Sequence, residues 1–245
     1  MKKRPDKEDR KLLIDYWSMA ATPHGRAAIN TRRFVKIFVW RAVIDGSLFL
    51  KRSLDIVVAV LTLLVWLAPL LIVMALIKLE DRGPIFFRQM RIGLRGRPFA
   101  MWKFRSMGIG ADKMKDQLLE KNEMAGGVTF KMKNDPRVTR VGRFIRKYSV
   151  DEVPQLWNVL LGDMSFVGPR PPVPREVAQY SPEDRQRLLA KPGLTCVWQV
   201  SGRSNIDFPG QVRLDLQYIR SQSLWLDVTL LLKTIPAVLF GDGAY

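Results

Sequence analysis

The chain has 245 residues, 47% apolar and 26% charged, with 40 Lys and Arg against 23 Asp and Glu, a net charge of +17. That length and balance fit one substantial folded domain with appendages and exclude disorder as the main state, while the positive excess calls for an anionic partner. Lone Cys196 and lone His24 exclude an internal disulfide framework, a zinc ligand set and a Ser-His-Asp or Cys-His nucleophile, so any chemistry must rest on carboxylates, Lys, Arg or hydroxyls.

Residues 1–31 are polar and charged, contain Pro5, Pro23 and Gly25, and read as a mobile arm. From Phe34 to Leu50, apolar residues alternate with Lys36, Arg41 and Asp45. This is the pattern of a basic amphipathic helix on a membrane interface, with packing on the catalytic domain an equal alternative. Next come 22 residues without a charge, Ile56 to Ile77. As one helix they would reach about 33 Å, enough for a bilayer. Over 50 residues precede the run, which argues against a cleaved signal.

Pro69 divides that run into arms of 13 and 9 residues. Each arm, about 20 and 14 Å long, falls short of the hydrocarbon core. Lys51 and Arg52 precede the run, and Lys78, Arg82, Arg88, Arg91, Arg95 and Arg97 follow it. Positive charge at both ends places both in the cytoplasm. The expectation is a re-entrant segment that breaks at Ala68-Pro69, against the alternative of a kinked transmembrane helix.

Beyond the membrane segment, PIFFRQMRI and PFAMWKFRSM flank Gly93, Gly96 and Pro98 and predict a β-hairpin. Residues 111–123 read as a solvated helix, and Asp135-Pro136 as the opening of a basic helix carrying Arg140, Arg143 and Arg146 on one face. Ser181-Pro182-Glu183-Asp184 has the form of a helix start. Residues 209–221 and 224–240 are predicted helical, the latter as an interfacial or core element. Residues 82–147 hold 17 basic against 5 acidic groups, whereas residues 148–245 hold 9 against 10, so the excess begins where the apolar run ends. Charge beside an apolar anchor suggests an anionic membrane, a phosphorylated substrate, or both; nucleic acid is the competing reading.

The chemistry concentrates in FIRKYSVDEVPQLWNVLLGDMSFVGPRPPVP. Asp151 and Glu152 fit a capping box begun by Ser149, but Pro154 would then clash at the fifth helical position, which favours a helix that opens at Pro154. Either way a helix N-terminus stabilises them and any bound phosphate. Arg170, fixed among three prolines, offers a bidentate donor, and KPGLTCVWQVSGRS places Arg203 on a Ser-Gly turn after a short apolar strand. Lys103 and Arg105 lie on the second hairpin strand. Two acids among four cations fit a carboxylate, Mg2+ and phosphate site.

At these residues the sequence resembles the bacterial sugar transferases, the monotopic phosphoglycosyl transferase family that begins exopolysaccharide and O-antigen repeats. The resemblance rests on KRSLD at 51–55, KFRSM at 103–107, SVDEVPQLWNVLLGDMSFVGPRP at 149–171, KPGLT at 191–195 and WQVSGR at 198–203, in that order, from about residue 50 onward. It implies a re-entrant helix, Asp151 as nucleophile, Glu152 as its partner, and Mg2+ held with the diphosphate of a UDP-hexose. Lys103, Arg105, Arg170, Arg203 and Gln199 become candidate substrate ligands. The implied reaction attacks the β-phosphate, releases UMP and passes hexose 1-phosphate to undecaprenyl phosphate. The closing DGAY resembles the hexose-1-phosphate subgroup, often galactose. Relatives commonly carry Ser-Pro where this chain has Ala68-Pro69, and Gly where it has Cys196.

The expected fold is α+β: a mostly helical cytosolic domain with a small hairpin, anchored by the re-entrant helix and interfacial amphipathic helices. The expected division is 1–50, 51–80 and 81–245. The expected partners are UDP-hexose, undecaprenyl phosphate and the anionic phospholipids of the inner membrane's cytoplasmic face, with no nucleic acid. Self-association stays open. The rival readings are a basic membrane scaffold or a nucleic-acid-binding protein without catalysis.

Overall fold

The structure, a computed structural model, describes residues 21–111, 135–202 and 206–240. The chain divides into two compact units, residues 1–51 and 52–245. In the first unit the described residues are helical from Pro23, because α1 runs over Pro23–Asp81. The arm expected over residues 1–31 therefore gives way to helix at Pro23, and its first 20 residues lie outside the described part.

Among the described residues most of the second unit is helical, with two small strand pairs. Strand β1 (Phe86–Ile92) pairs antiparallel with β2 (Pro98–Phe104), with Phe86 opposite Phe104 and Ile92 opposite Pro98. This is the expected hairpin. Its tip turns where Arg95 (φ 56°) and Gly96 (φ 78°) adopt left-handed backbone. Helix α2 is Arg140–Lys147, capped by the Thr139 hydroxyl, which accepts from the Gly142 amide at 2.9 Å. It begins later than Asp135-Pro136 suggested, because Asp135 is spent on a turn, accepting from the Arg137 amide and guanidinium.

A 3-10 turn, Val150–Gln155, leads into α3 (Leu156–Leu161), which ends at Gly162 with φ 93°. Strand β3 (Ser165–Val167) pairs in parallel with β4 (Gly193–Thr195), an arrangement the sequence reading did not anticipate. Between them lie α4 (Pro174–Ala178) and a 3-10 turn, Asp184–Leu189. The Ser181 hydroxyl and the Asp184 carboxylate cap each other's amides, as the start signal required, but only this short turn follows. Within KPGLTCVWQVSGRS the expected strand is confined to β4, and helix α5 (Val197–Ser201) stands between it and the Ser-Gly turn. Helices α6 (Phe208–Ser221) and α7 (Leu224–Phe240) close the chain as predicted. The solvated helix read over 111–123 lies, beyond Ala111, outside the described residues.

Residues Gly46–Asp81 of α1 are long and apolar enough to cross a membrane, and only 17% of their most apolar window is buried in the protein. The helix runs through Pro69 without the interruption expected there. Proline removes one backbone donor, and the Leu and Ala around it keep the remaining ladder helical.

From Arg52 onward, one stripe of α1 packs on the second unit. Near its start Ala59 is buried in a core with Met101, Leu156, Val159, Met164, Phe166, Tyr218 and Leu230. Asp55 is buried too and accepts from the Ser165 hydroxyl and the Phe166 amide, both at 3.2 Å. The Arg52 guanidinium donates to the carbonyls of Val159 and, at 2.7 Å, Leu160. Near its end Val73 and Ile77 join Phe104, Ile145 and Val150. Glu80 accepts from the Arg140 amide at 2.8 Å, and Asp81 pairs with Arg105. Both ends of the apolar run are thus fastened to the same folded body.

Candidate active site

Strand β2 and the 3-10 turn after α2 bring the site together. Val150 anchors one side of that turn in the second core, and Gln155 and Leu156 are buried on the other, so Asp151 and Glu152 are held between two fixed points. Ser149 enters the turn with φ 55° and makes no side-chain cap. The capping-box reading is therefore not met, and the alternative start at Pro154 is met only in part: Pro154 lies inside the 3-10 turn and the α-helix opens at Leu156. A non-glycine residue with the left-handed backbone of Ser149 is strained, and the surrounding packing holds it there.

The two acids are in different surroundings. Asp151 is 8% exposed, and burial pushes its carboxyl up to about 6 despite the pull of Lys103, Arg146 and Arg170. Glu152 accepts from Lys103 Nζ at 2.7 Å and lies 3.8 Å from Arg170 Nη1. Burial acts on it in the same sense, but Lys103 and Arg170 outweigh it and hold Glu152 down to about 2. At neutral pH, Glu152 is firmly ionised and Asp151 is the adjustable member of the pair.

Arg170 is positioned by a loop that the strand pairs grip from two sides. The Ile92 amide donates to the Pro172 carbonyl at 2.9 Å, and the Gly168 amide to the Thr195 carbonyl at 3.1 Å. The β3 and β4 backbones approach so closely that a Cβ on Gly193 would sit 2.1 Å from the Gly168 nitrogen, and one on Gly168 would sit 2.3 Å from the Lys191 carbonyl oxygen. Arg91, at the end of β1, is buried and donates through Nη1 to the Pro171 carbonyl at 2.8 Å and through Nη2 to Gln89 Oε1 at 2.6 Å. Burial and the neighbouring Arg170 lower its guanidinium to about 10, so it remains charged at neutral pH. Arg91, Glu152, Gln155, Arg170, Pro171 and Gly193 line a small cavity beside the dyad.

The structure thus brings Asp151, Glu152, Lys103 and Arg170 together. It does not bring Arg105 to them; Arg105 is turned onto Asp81 at the end of α1. Gln199 lies on α5 and accepts from the Cys196 thiol at 3.0 Å. Arg203 lies outside the described residues. The sequence offered Arg91 only as a cation flanking the apolar run, not as a site residue. Its signal was available only as one arginine among Arg88, Arg91, Arg95 and Arg97, and burial alone distinguishes it.

Magnesium takes one or two carboxylates and fills its shell with water and phosphate oxygens. Two adjacent acids beside a cationic pocket fit that demand. Among the described residues no three His, Cys, Asp or Glu gather into a cage, so the remaining ligands would come from substrate and water.

The bacterial sugar transferase family model matches residues 46–241. The undecaprenyl-phosphate galactose phosphotransferase of Salmonella typhimurium is 45% identical over 203 residues, covering 82% of this chain and 42% of that protein. The UDP-glucose:undecaprenyl-phosphate glucose-1-phosphate transferase of Caulobacter vibrioides is 44% identical over 204 residues, covering 80% and 72%. The exopolysaccharide production protein ExoY of Sinorhizobium fredii is 42% identical over 199 residues, covering 80% and 88%. The chain spans less than half the length of several relatives that it matches.

Proposed function

The chain belongs to the bacterial sugar transferase family, and from that premise we propose that it transfers hexose 1-phosphate from a UDP-hexose to undecaprenyl phosphate through a covalent intermediate on Asp151. The observation that carries this reading is the asymmetric dyad: Asp151 buried and adjustable, Glu152 held ionised by Lys103 and Arg170. The donor and acceptor follow the relatives named for UDP-glucose and undecaprenyl phosphate.

In the first step an Asp151 carboxylate oxygen attacks the β-phosphorus, the bond to the bridging oxygen breaks, and UMP leaves with the electron pair. In the second a phosphate oxygen of undecaprenyl phosphate attacks the same phosphorus, the acyl phosphate bond breaks, and the Asp151 carboxylate returns. One phosphoanhydride replaces another, so no nucleoside triphosphate is consumed. Arg170, beside Glu152 at the mouth of the dyad, would screen phosphate charge before reaction, and Arg91 holds the loop that carries it. Lys103 keeps Glu152 charged and fixes the turn on which Asp151 rides. Mg2+, held by Asp151 and Glu152, would supply Lewis-acid neutralisation of phosphate charge.

The apolar segment is read as re-entrant, on the cytoplasmic face of the inner membrane. Support comes from its two ends: Arg52 and Asp55 at one, Glu80 and Asp81 at the other, all bonded to one folded body. A segment that crossed the bilayer would leave those ends on opposite sides. Cationic flanks at both ends favour the cytoplasm for each.

The decisive experiment incubates the purified protein with labelled UDP-hexose and undecaprenyl phosphate. Asp151→Asn should abolish UMP release and the mass gained at residue 151; undiminished transfer by that variant would remove the nucleophile assignment.

A further inference from the structure

The region matched by the sugar transferase family starts at residue 46, so the helical stretch before it is unexplained by sugar transfer. Residues 21–51 carry six basic groups, Arg26, Arg32, Arg33, Lys36, Arg41 and Lys51, against the single acid Asp45. Large apolar side chains stand out to solvent on the same stretch: Phe34, Val35, Phe38 and Phe49 are all more than half exposed. At about 100° per residue, Phe34, Phe38 and Phe49 fall within an arc of about 60°. Exposed Arg26, Arg32 and Lys36 fall within an arc of about 120° centred on the opposite side. Aromatic residues on one side and cations on the other are what a helix lying in a headgroup layer requires.

We propose that the α1 face over Arg26–Phe49 binds the surface of an anionic phospholipid bilayer. Two observations choose this occupant. The charge is complementary to anionic headgroups, and the same helix continues into the apolar stretch Gly46–Asp81, which is long and apolar enough to enter a membrane. A nucleic-acid partner would use the cations and leave the exposed phenylalanines unexplained. The inference goes beyond the sugar-transfer reading, and its test reads no turnover, so the two fail separately.

The full chain is placed in lipid nanodiscs of phosphatidylcholine, with or without phosphatidylglycerol, and amide hydrogen exchange is followed over residues 23–45. Exchange should be slower in the anionic discs, and raised salt should erase the difference. Removing one cation near such a surface weakens attraction on the order of fivefold. Arg26→Gln, Arg32→Gln and Lys36→Gln combined should therefore weaken it on the order of a hundredfold and abolish the difference between discs, while glutamine preserves helix propensity. Phe34→Ser with Phe38→Ser should reduce protection in the anionic discs. Equal exchange in the two discs, or wild-type behaviour of the triple variant, would overturn the proposal. So would protection of the chain in neutral discs by a short oligonucleotide.

Discussion

A carboxyl group pressed into protein beside an ionised neighbour resists losing its proton, and residue 151 is in that position. Its pKa is raised to about 6, so ionising it in the folded state opposes folding as pH rises from the ordinary aspartate range through about 6. Glu152, held down to about 2, has the reverse sign: its contribution is present above the ordinary glutamate range and is lost as pH falls toward 2. If Asp151 is the nucleophile, single-turnover UMP release should rise with pH through about 6 and then level off. Lys103→Met removes a cation that favours ionisation, so the rising limb should move to higher pH; an unmoved limb would separate Lys103 from the dyad.

Arg91 acts through the loop that bears Arg170. Arg91→Lys keeps the charge but loses the geometry that grips the Pro171 carbonyl and Gln89. We expect kcat/KM for UDP-hexose to fall on the order of tenfold, with UMP release and thermal unfolding measured side by side. The adjacent acids, Lys103 and Arg170 were legible because motif order places them together. Arg105 was misplaced for a simple reason: alternation puts residues 103 and 105 on one face of a strand, but the strand ends at Phe104 and Arg105 turns away.

Among the elements, the hairpin was readable because turn residues separate two apolar-rich runs, and α6 and α7 because they are long. The parallel β3 and β4 pair was not, since three-residue strands carry no usable period and depend on contacts distant in sequence. Its signature is glycine at both strands' closest approach. Gly193→Ala forces a Cβ against backbone, which cannot give way as a flexible side chain would. It should lower the unfolding midpoint and displace the Arg170 loop, with loss of UMP release. Gly46→Ala meets nothing within 4 Å and should leave stability unchanged or raise it by up to ~1 kcal/mol.

A second element-level prediction concerns the 3-10 turn Asp184–Leu189. Arg187 stands over the contacting rings of Tyr180 and Phe208, 5.8 and 5.7 Å from their centroids, and bonds to Asp215. Asp215 is 1% exposed, and burial raises its carboxyl to about 6 against the pull of Arg187. Arg187→Ala would strand that carboxylate, at a cost of about 3–5 kcal/mol in chemical denaturation. Nothing in the sequence reading pointed to this pair, because Arg and Asp 28 residues apart are unremarkable until the fold buries both.

For the molecule as a whole, composition pointed to an anionic partner and to a segment apolar enough for a membrane, and the structure shows how the apolar run relates to the folded body. Where the sequence stressed the proline, the structure stresses the fastenings at either end of the run. If the run enters a membrane as proposed, those fastenings make the folded body, rather than the bilayer, the template for its length. A helix that reaches from one leaflet to the other must match the hydrocarbon thickness or tilt; one whose two ends are tied to a single rigid partner has no such obligation. Its transferase activity should therefore be nearly the same in discs of short-chain and long-chain lipids. An alanine inserted within residues 63–70 would rotate one fastening by about 100° against the other and should disable the protein in both.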